Sequence, residues 1–216
     1  MGTIYPVKPD SIVFDLDGTL WDTCSACAIA WNNVLARLGI SYRTIEAQDV
    51  RAVTGNPHDE CVRQVFNDLT ESQILQISEE TILEDTAVIG ELGGQLYESV
   101  LTQIPLLSEQ YKLFIVSNCQ SGYIETFFKL NDLANYFQDI ECWGNTGQPK
   151  SWNLKQVIER NNLQSPIMVG DAHGDEKAAR DCGIPFAFAA YGFGQVQSAD
   201  LLFKSFPELA NYFNSL

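Results

Sequence analysis

Basic side chains are scarce in this chain. Its 13 Lys and Arg stand against 28 Asp and Glu, for a formal net charge of −15. Nucleic acid and anionic membrane surfaces both require clustered Lys and Arg, so neither is expected as a partner. A small phosphorylated ligand is still compatible, because only the field at its own site has to be positive. No stretch approaches the roughly 20 apolar residues of a membrane span, and residues 1–10 lack the apolar core of a secretory signal. Gly2 follows Met1, but Pro6 stands where a myristoylation pattern wants Ser or Thr. A soluble, cytoplasmic protein is expected. Histidine is limited to 2 residues, and the 6 cysteines are scattered at 24, 27, 61, 119, 142 and 182. Cys24 and Cys27 form a Cys-x-x-Cys pair, but no second pair completes a zinc ribbon. Asp22 and Thr23 before it signal a helix start rather than the strand end of a thioredoxin-like site. The cysteines are read as small residues of a buried helix face and as reduced thiols.

What the chain does have is apolar material: 45% of its 216 residues are hydrophobic, enough for a sizeable core in one domain, or in a core with a smaller insertion. From Asp22 to about Leu92 the pattern is mostly helical. Ala30, Val34, Leu35 and Leu38 share a face that Gly39 closes. Leu69 to Ile82 continues in that manner, with Ser72 and Ser78 near expected helix starts, and Val53 to Asp59 is read as a loop from its Gly and Pro. From about Gly94 onward helices and strands alternate. A helix over Leu96 to Gln110 leads to the strand Leu113 to Val116. Further strands are expected at Asp139 to Trp143, Ile167 to Asp171 and Ile184 to Ala190, with helices between them. Such alternation, with nearly continuous apolar strands, predicts a parallel sheet covered on both faces. The fold class is therefore α/β, a Rossmann-like core of residues 1–21 and 94–216, with an inserted all-helical cap over 22–93.

The first strand, Ile12-Val13-Phe14, runs directly into Asp15-Leu16-Asp17-Gly18-Thr19-Leu20. Open α/β sheets bind ligands just beyond the carboxyl ends of their strands. Two acids placed there repel each other, and a hard cation such as Mg²⁺ is a natural compensation. Gly18 suits the sharp turn. Three further segments bring polar groups to the same edge: Ser117 and Asn118 after the strand Leu113 to Val116, Lys150 at a helix start, and Asp171 with Asp175. Together they read as a phosphoryl-transfer site. One carboxylate attacks phosphorus, the next protonates the leaving oxygen and activates water, Mg²⁺ offsets anionic repulsion, and the lysine and Ser/Asn donors stabilise the phosphoryl oxygens.

Asp-Leu-Asp-Gly-Thr-Leu, Val-Ser-Asn, Lys150 and Val-Gly-Asp-Ala-His-Gly-Asp resemble, in order and spacing, the four motifs of the haloacid dehalogenase-like hydrolase superfamily. The resemblance implies Asp15 as nucleophile and Asp17 as general acid and base. It implies Ser117 as a phosphate ligand with Asn118 beside it, and Lys150 as the bridge between phosphate and nucleophile. Mg²⁺ would be held by Asp15, Asp171, the backbone carbonyl of Asp17, and Asp175 as a supporting acid. The subgroup it resembles is that of phosphoglycolate phosphatases and related small-molecule phosphatases, with a small phosphorylated metabolite as substrate and a monomer or homodimer as the assembly. Two features depart from the family pattern: Pro149 precedes Lys150 rather than following it, and Trp21 stands where smaller apolar residues are common.

Lys155 falls too far into its helix to replace Lys150, His173 is read as a solvated loop histidine, and Tyr191-Gly192-Phe193-Gly194 as a tight surface loop after the last core strand. In the cap, Gly55 and His58, together with Trp21, are the candidates for contact with the leaving group. A β-phosphoglucomutase-like phosphomutase is the enzymatic alternative. A phospho-acceptor or binding module, as in receiver domains, is the alternative of another class, but such modules are shorter and lack an inserted cap.

Overall fold

The computed structural model describes residues 8–216, so Gly2 and Pro6 lie outside the described residues. β1 (Ser11–Phe14) is buried along its whole length. It lies between β4 (Lys112–Ser117) and β6 (Pro166–Gly170), and pairs in parallel with both. The sheet has the order β5-β4-β1-β6-β7-β8, with β5 spanning Phe137–Cys142, β7 Phe186–Ala189 and β8 Leu201–Phe203. Every pairing in it is parallel. Alternate residues of β1 serve opposite faces, as the pleat requires. Ile12 and Phe14 join a cluster with Ile104 of α5 (Val100–Ser108), Phe127 of α6 (Tyr123–Asn131) and Phe206 of α10 (Phe206–Asn214). Val13 joins another with Leu154 of α8 (Lys150–Arg160) and Ala179 of α9 (His173–Cys182). Burial on both faces explains why the strands read as unbroken apolar runs. A short helix, α7 (Trp143–Thr146), follows β5 directly.

Four helices of the insertion follow β1 and precede α5: α1 (Cys24–Leu38), α2 (Ala47–Arg51), α3 (His58–Val65) and α4 (Glu71–Leu92). A two-stranded antiparallel ribbon of β2 (Trp21–Asp22) and β3 (Gln95–Leu96) joins the chain on either side of them. Among the described residues no helix is long and apolar enough to cross a membrane.

Some expectations require correction. Thr70, not Ser72 or Ser78, starts α4. Its Oγ1 accepts from the Gln73 N–H while the Gln73 side chain reaches back to the Thr70 N–H, and Ser72 and Ser78 lie inside the helix. The loop after Val53 ends at Pro57, because His58 and Asp59 already belong to α3. Trp143 leaves β5 for α7. The strand containing Ala189 is not the last in the core: β8 extends the sheet beyond it, and α10 packs Phe206, Leu209 and Phe213 beneath.

Candidate active site

β1, β4 and β6 are adjacent and parallel, so their carboxyl ends lie side by side, and Asp15, Ser117 and Asp171 meet there. Strand connections leave β1 in opposite directions, toward β4 and β5 on one side and β6 to β8 on the other. This is the switch point at which open α/β sheets form a crevice. Lys150, the first residue of α8, is buried beneath it. Its Nζ donates to Asp15 Oδ1 at 2.7 Å and to Asp175 Oδ1 at 2.6 Å. Burial alone would lower the Lys150 ammonium, but these carboxylates outweigh it and hold the group firmly charged. Lys155 points away, 64% exposed and paired with Glu159.

Carboxylate oxygens of Asp15, Asp171 and Asp175 lie within 4.8 Å of one another, all buried. Burial and the neighbouring Asp175 push the Asp15 carboxyl well above the ordinary range, against the pull of Lys150. The same causes raise Asp171 to about 7. Three buried carboxylates facing a single ammonium lack positive charge, and an all-oxygen donor set suits a hard divalent cation. The residues therefore fit Mg²⁺. Asp171 is aimed by backbone: Oδ2 accepts from the Phe193 N–H at 2.6 Å and the Gly194 N–H at 3.2 Å. The Tyr191–Gly194 loop is thus part of the site's framework, which corrects its reading as a mere surface turn. Tyr191 Oη also donates to the Thr19 carbonyl oxygen.

Two glycines allow this close approach. Gly18 has φ +80°, and a Cβ there would lie 2.6 Å from Asp171 Cγ. A Cβ on Gly192 would press into the Asp171 side chain and the Gly18 carbonyl oxygen. Gly192→Ala is therefore expected to displace Asp171 while the sheet stays folded. The outcome to measure is a Mg²⁺ requirement raised about 10–100-fold, as for other losses of support around metal ligands. An unchanged Mg²⁺ titration would show that the loop does not set the position of Asp171.

Asp17 is held differently. Its Oδ1 accepts from Tyr123 Oη at 2.7 Å and from Thr23 Oγ1 at 3.0 Å. Burial pushes its carboxyl up to about 6, although these hydrogen bonds pull the other way. A carboxyl so poised can exist as the neutral acid that protonates a leaving group. Neither Tyr123 nor Thr23 was legible as a functional residue, and Tyr123 lies 106 positions from Asp17.

A cleft extends from Asp15 and Asp17 into the helical insertion, with about 570 Å³ of empty space, its mouth included. Ser117, Asn118, Gly55 and His58 line it. Asn118 Nδ2 donates to the Gly55 carbonyl oxygen at 2.8 Å, tying the core to the insertion loop. Trp21 does not line the cleft, which corrects its place among the leaving-group contacts. It is fully buried and packs edge-on against Tyr123 and Phe127, with ring centroids 5.5 and 4.9 Å apart. It thereby supports the tyrosine that holds Asp17. Cys27 also faces the cleft, but burial pushes its thiol well up, which disfavours a reactive thiolate. His173 starts α9 with its side chain exposed near Glu176.

A family model described as haloacid dehalogenase-like hydrolase matches residues 12–189. The chain belongs to the haloacid dehalogenase-like hydrolases. Curated relatives are similar over most of their length. A phosphoglycolate phosphatase of Vibrio cholerae is 27% identical over 199 residues, 84% of each chain. One of Agrobacterium fabrum is 27% identical over 211 residues, covering 92% of this chain and 88% of its own. A solved haloacid dehalogenase-like family hydrolase from Streptococcus pneumoniae shares the fold, with a TM-score of 0.82 at 24% identity over 95% of this chain and 99% of that one.

Proposed function

We propose that this phosphatase hydrolyses a small phosphate monoester through an aspartyl phosphate on Asp15, with Mg²⁺ as its cofactor. The observation that carries this reading is the buried arrangement of Lys150 between Asp15 and Asp175, with Asp171 within 4.8 Å and Asp17 held separately by Tyr123. Lys150 engages Asp15 Oδ1, which leaves Oδ2 to attack phosphorus. As the P–O bond to the alcohol breaks, Asp17 passes its proton to the departing oxygen. The resulting carboxylate then takes a proton from water, whose oxygen attacks phosphorus, releases inorganic phosphate and restores Asp15. Ser117 and Lys150 donate to the phosphoryl oxygens. Asp15, Asp171, Asp175 and the Asp17 carbonyl would hold Mg²⁺, which when bound neutralises charge between the anionic nucleophile and the anionic ester.

Residues 22–93 act as the cap, which recognises the alcohol and excludes water, while the core handles the phosphate. Relatives named phosphoglycolate phosphatase support small phosphorylated metabolites as the substrate class. The six free thiols suit a reducing compartment such as the cytoplasm.

The test is phosphate release from a panel of esters with the protein loaded with Mg²⁺ and then stripped by chelator. Turnover is expected to vanish on stripping and to return with Mg²⁺. Thermal unfolding should also shift upward by several degrees at saturating Mg²⁺, because a ligand at 100 times its Kd stabilises the folded state by about 2.7 kcal/mol. Full turnover in excess chelator contradicts the reading.

A further inference from the structure

Two buried polar side chains of the cleft, one from the insertion and one from the core, are not used by the phosphoryl chemistry. Asp85 of α4 is only 2% exposed, and Gln120, after β4, 6%. Both line the cleft. Asp85 Oδ1 and Gln120 Nε2 are buried polar atoms without a hydrogen-bond partner among the described residues. Such atoms are costly unless something bound in the cleft satisfies them.

The neighbours of Asp85 determine what it offers. Thr81 Oγ1 donates its proton back along α4 to the Ile77 carbonyl oxygen, so it accepts from His58 Nε2 at 2.9 Å. The neutral imidazole then has no proton on Nδ1, which faces Asp85 Oδ2 at 3.6 Å. Burial depresses the His58 imidazole to about 4 and raises the Asp85 carboxyl to about 8. Burial thus disfavours charge on both groups, and the imidazole faces Oδ2 rather than Oδ1. Trp31 Nε1 also donates to Oδ2. Oδ1 and the Gln120 Nε2 donor are left without a hydrogen-bond partner.

Positive charge is scarce along the cleft. Of its lining residues only Lys150 is a cation, and it is committed to Asp15 and Asp175. Arg51 does not line it: its guanidinium pairs with Asp22 and lies over the Phe193 ring. A substrate carboxylate would meet no counter-charge there. An ammonium only donates and would leave the Gln120 donor unpaired. A hydroxyl both donates and accepts, and so fits each vacant partner.

Building on the phosphatase reading, we infer that Asp85 and Gln120 select the phosphate ester of a small neutral polyol over esters bearing a carboxylate or an ammonium. The experiment measures kcat/KM of the Mg²⁺-loaded protein for glycerol 3-phosphate, propyl phosphate, phosphoglycolate and phosphoethanolamine, with p-nitrophenyl phosphate reporting hydrolysis as such. Glycerol 3-phosphate is expected to exceed each of the other alkyl esters by about tenfold or more, since a site with buried polar groups rejects analogues that cannot pair them. Asp85→Leu and, separately, Gln120→Leu should each reduce the ratio of glycerol 3-phosphate to propyl phosphate by about tenfold. If Asp85→Leu does not fold, the wild-type ranking and Gln120→Leu decide. Equal or better use of phosphoglycolate or phosphoethanolamine overturns the inference while p-nitrophenyl phosphate hydrolysis keeps the phosphatase reading intact, and so does a ratio that neither variant moves. Failure on every ester, p-nitrophenyl phosphate included, removes the phosphatase reading and the inference with it.

Discussion

Asp15→Asn is expected to reduce turnover by at least about 10³-fold, roughly 4 kcal/mol in the barrier, while the protein folds normally. The amide keeps the shape of the carboxylate but has no charge with which to attack phosphorus. Folding should survive because the wild-type site gains little from this charge. Asp15 is buried beside Asp175 and Asp171, and burial with that repulsion pushes its carboxyl well up. Lys150 keeps Asp175 as a partner in the variant. In the absence of Mg²⁺ the variant should therefore melt no lower than the wild type. Acid quenching of the wild type during turnover should trap a phosphorylated chain by mass, with the added phosphate on the peptide containing Asp15, and the variant should show none. Turnover within tenfold of wild type, or a phosphoryl group on another residue, would assign the nucleophile elsewhere.

The second large effect belongs to Asp17, and it depends on the substrate. Asp17→Asn keeps an acceptor for Tyr123 and Thr23 but removes the proton that, in the proposed mechanism, reaches the leaving oxygen. An alkyl alkoxide is a poor leaving group, so hydrolysis of an alkyl phosphate should fall by about 10²–10⁴-fold, the usual range for general acid catalysis. An aryl oxide such as p-nitrophenolate departs without help, so formation of the phosphoenzyme from p-nitrophenyl phosphate should fall much less. Rapid-quench measurement of that first step separates it from the later hydrolysis, in which the proposed role of Asp17 is to activate water. Equal losses on both esters in the first step would argue that Asp17 holds structure rather than a proton. Tyr123→Phe provides a companion reading: it removes one hydrogen bond to Asp17 Oδ1, and its effect should follow the same order of esters at smaller size.

The chain by itself determined the α/β core and the edge where the polar groups collect. The reason is local: apolar β-branched runs buried on both faces form parallel strands, and the residue just after such a strand must emerge at its carboxyl end. Asp15, Ser117 and Asp171 could be placed that way, and Lys150 and Asp175 followed from the helix starts beside them. The sequence resemblance to the haloacid dehalogenase-like hydrolases rested on these same residues. Tertiary structure alone decided whatever depends on which distant side chain meets which. Thr23 and Tyr123 hold Asp17 only because α1 and α6 converge on it, and Trp21 turns away from the cleft because Tyr123 and Phe127 bury it. The Tyr191–Gly194 loop reads locally as a turn, and only the packing of β7 beside β6 brings its N–H groups onto Asp171. Asp85 lies on the stripe of Ile74, Ile77, Thr81 and Val88 that α4 buries, an acid among apolar positions at helical spacing. That spacing was visible in the chain. That the stripe faces a cleft, with His58 and Trp31 set against the carboxyl, follows from the packing of α1, α3 and α4 together.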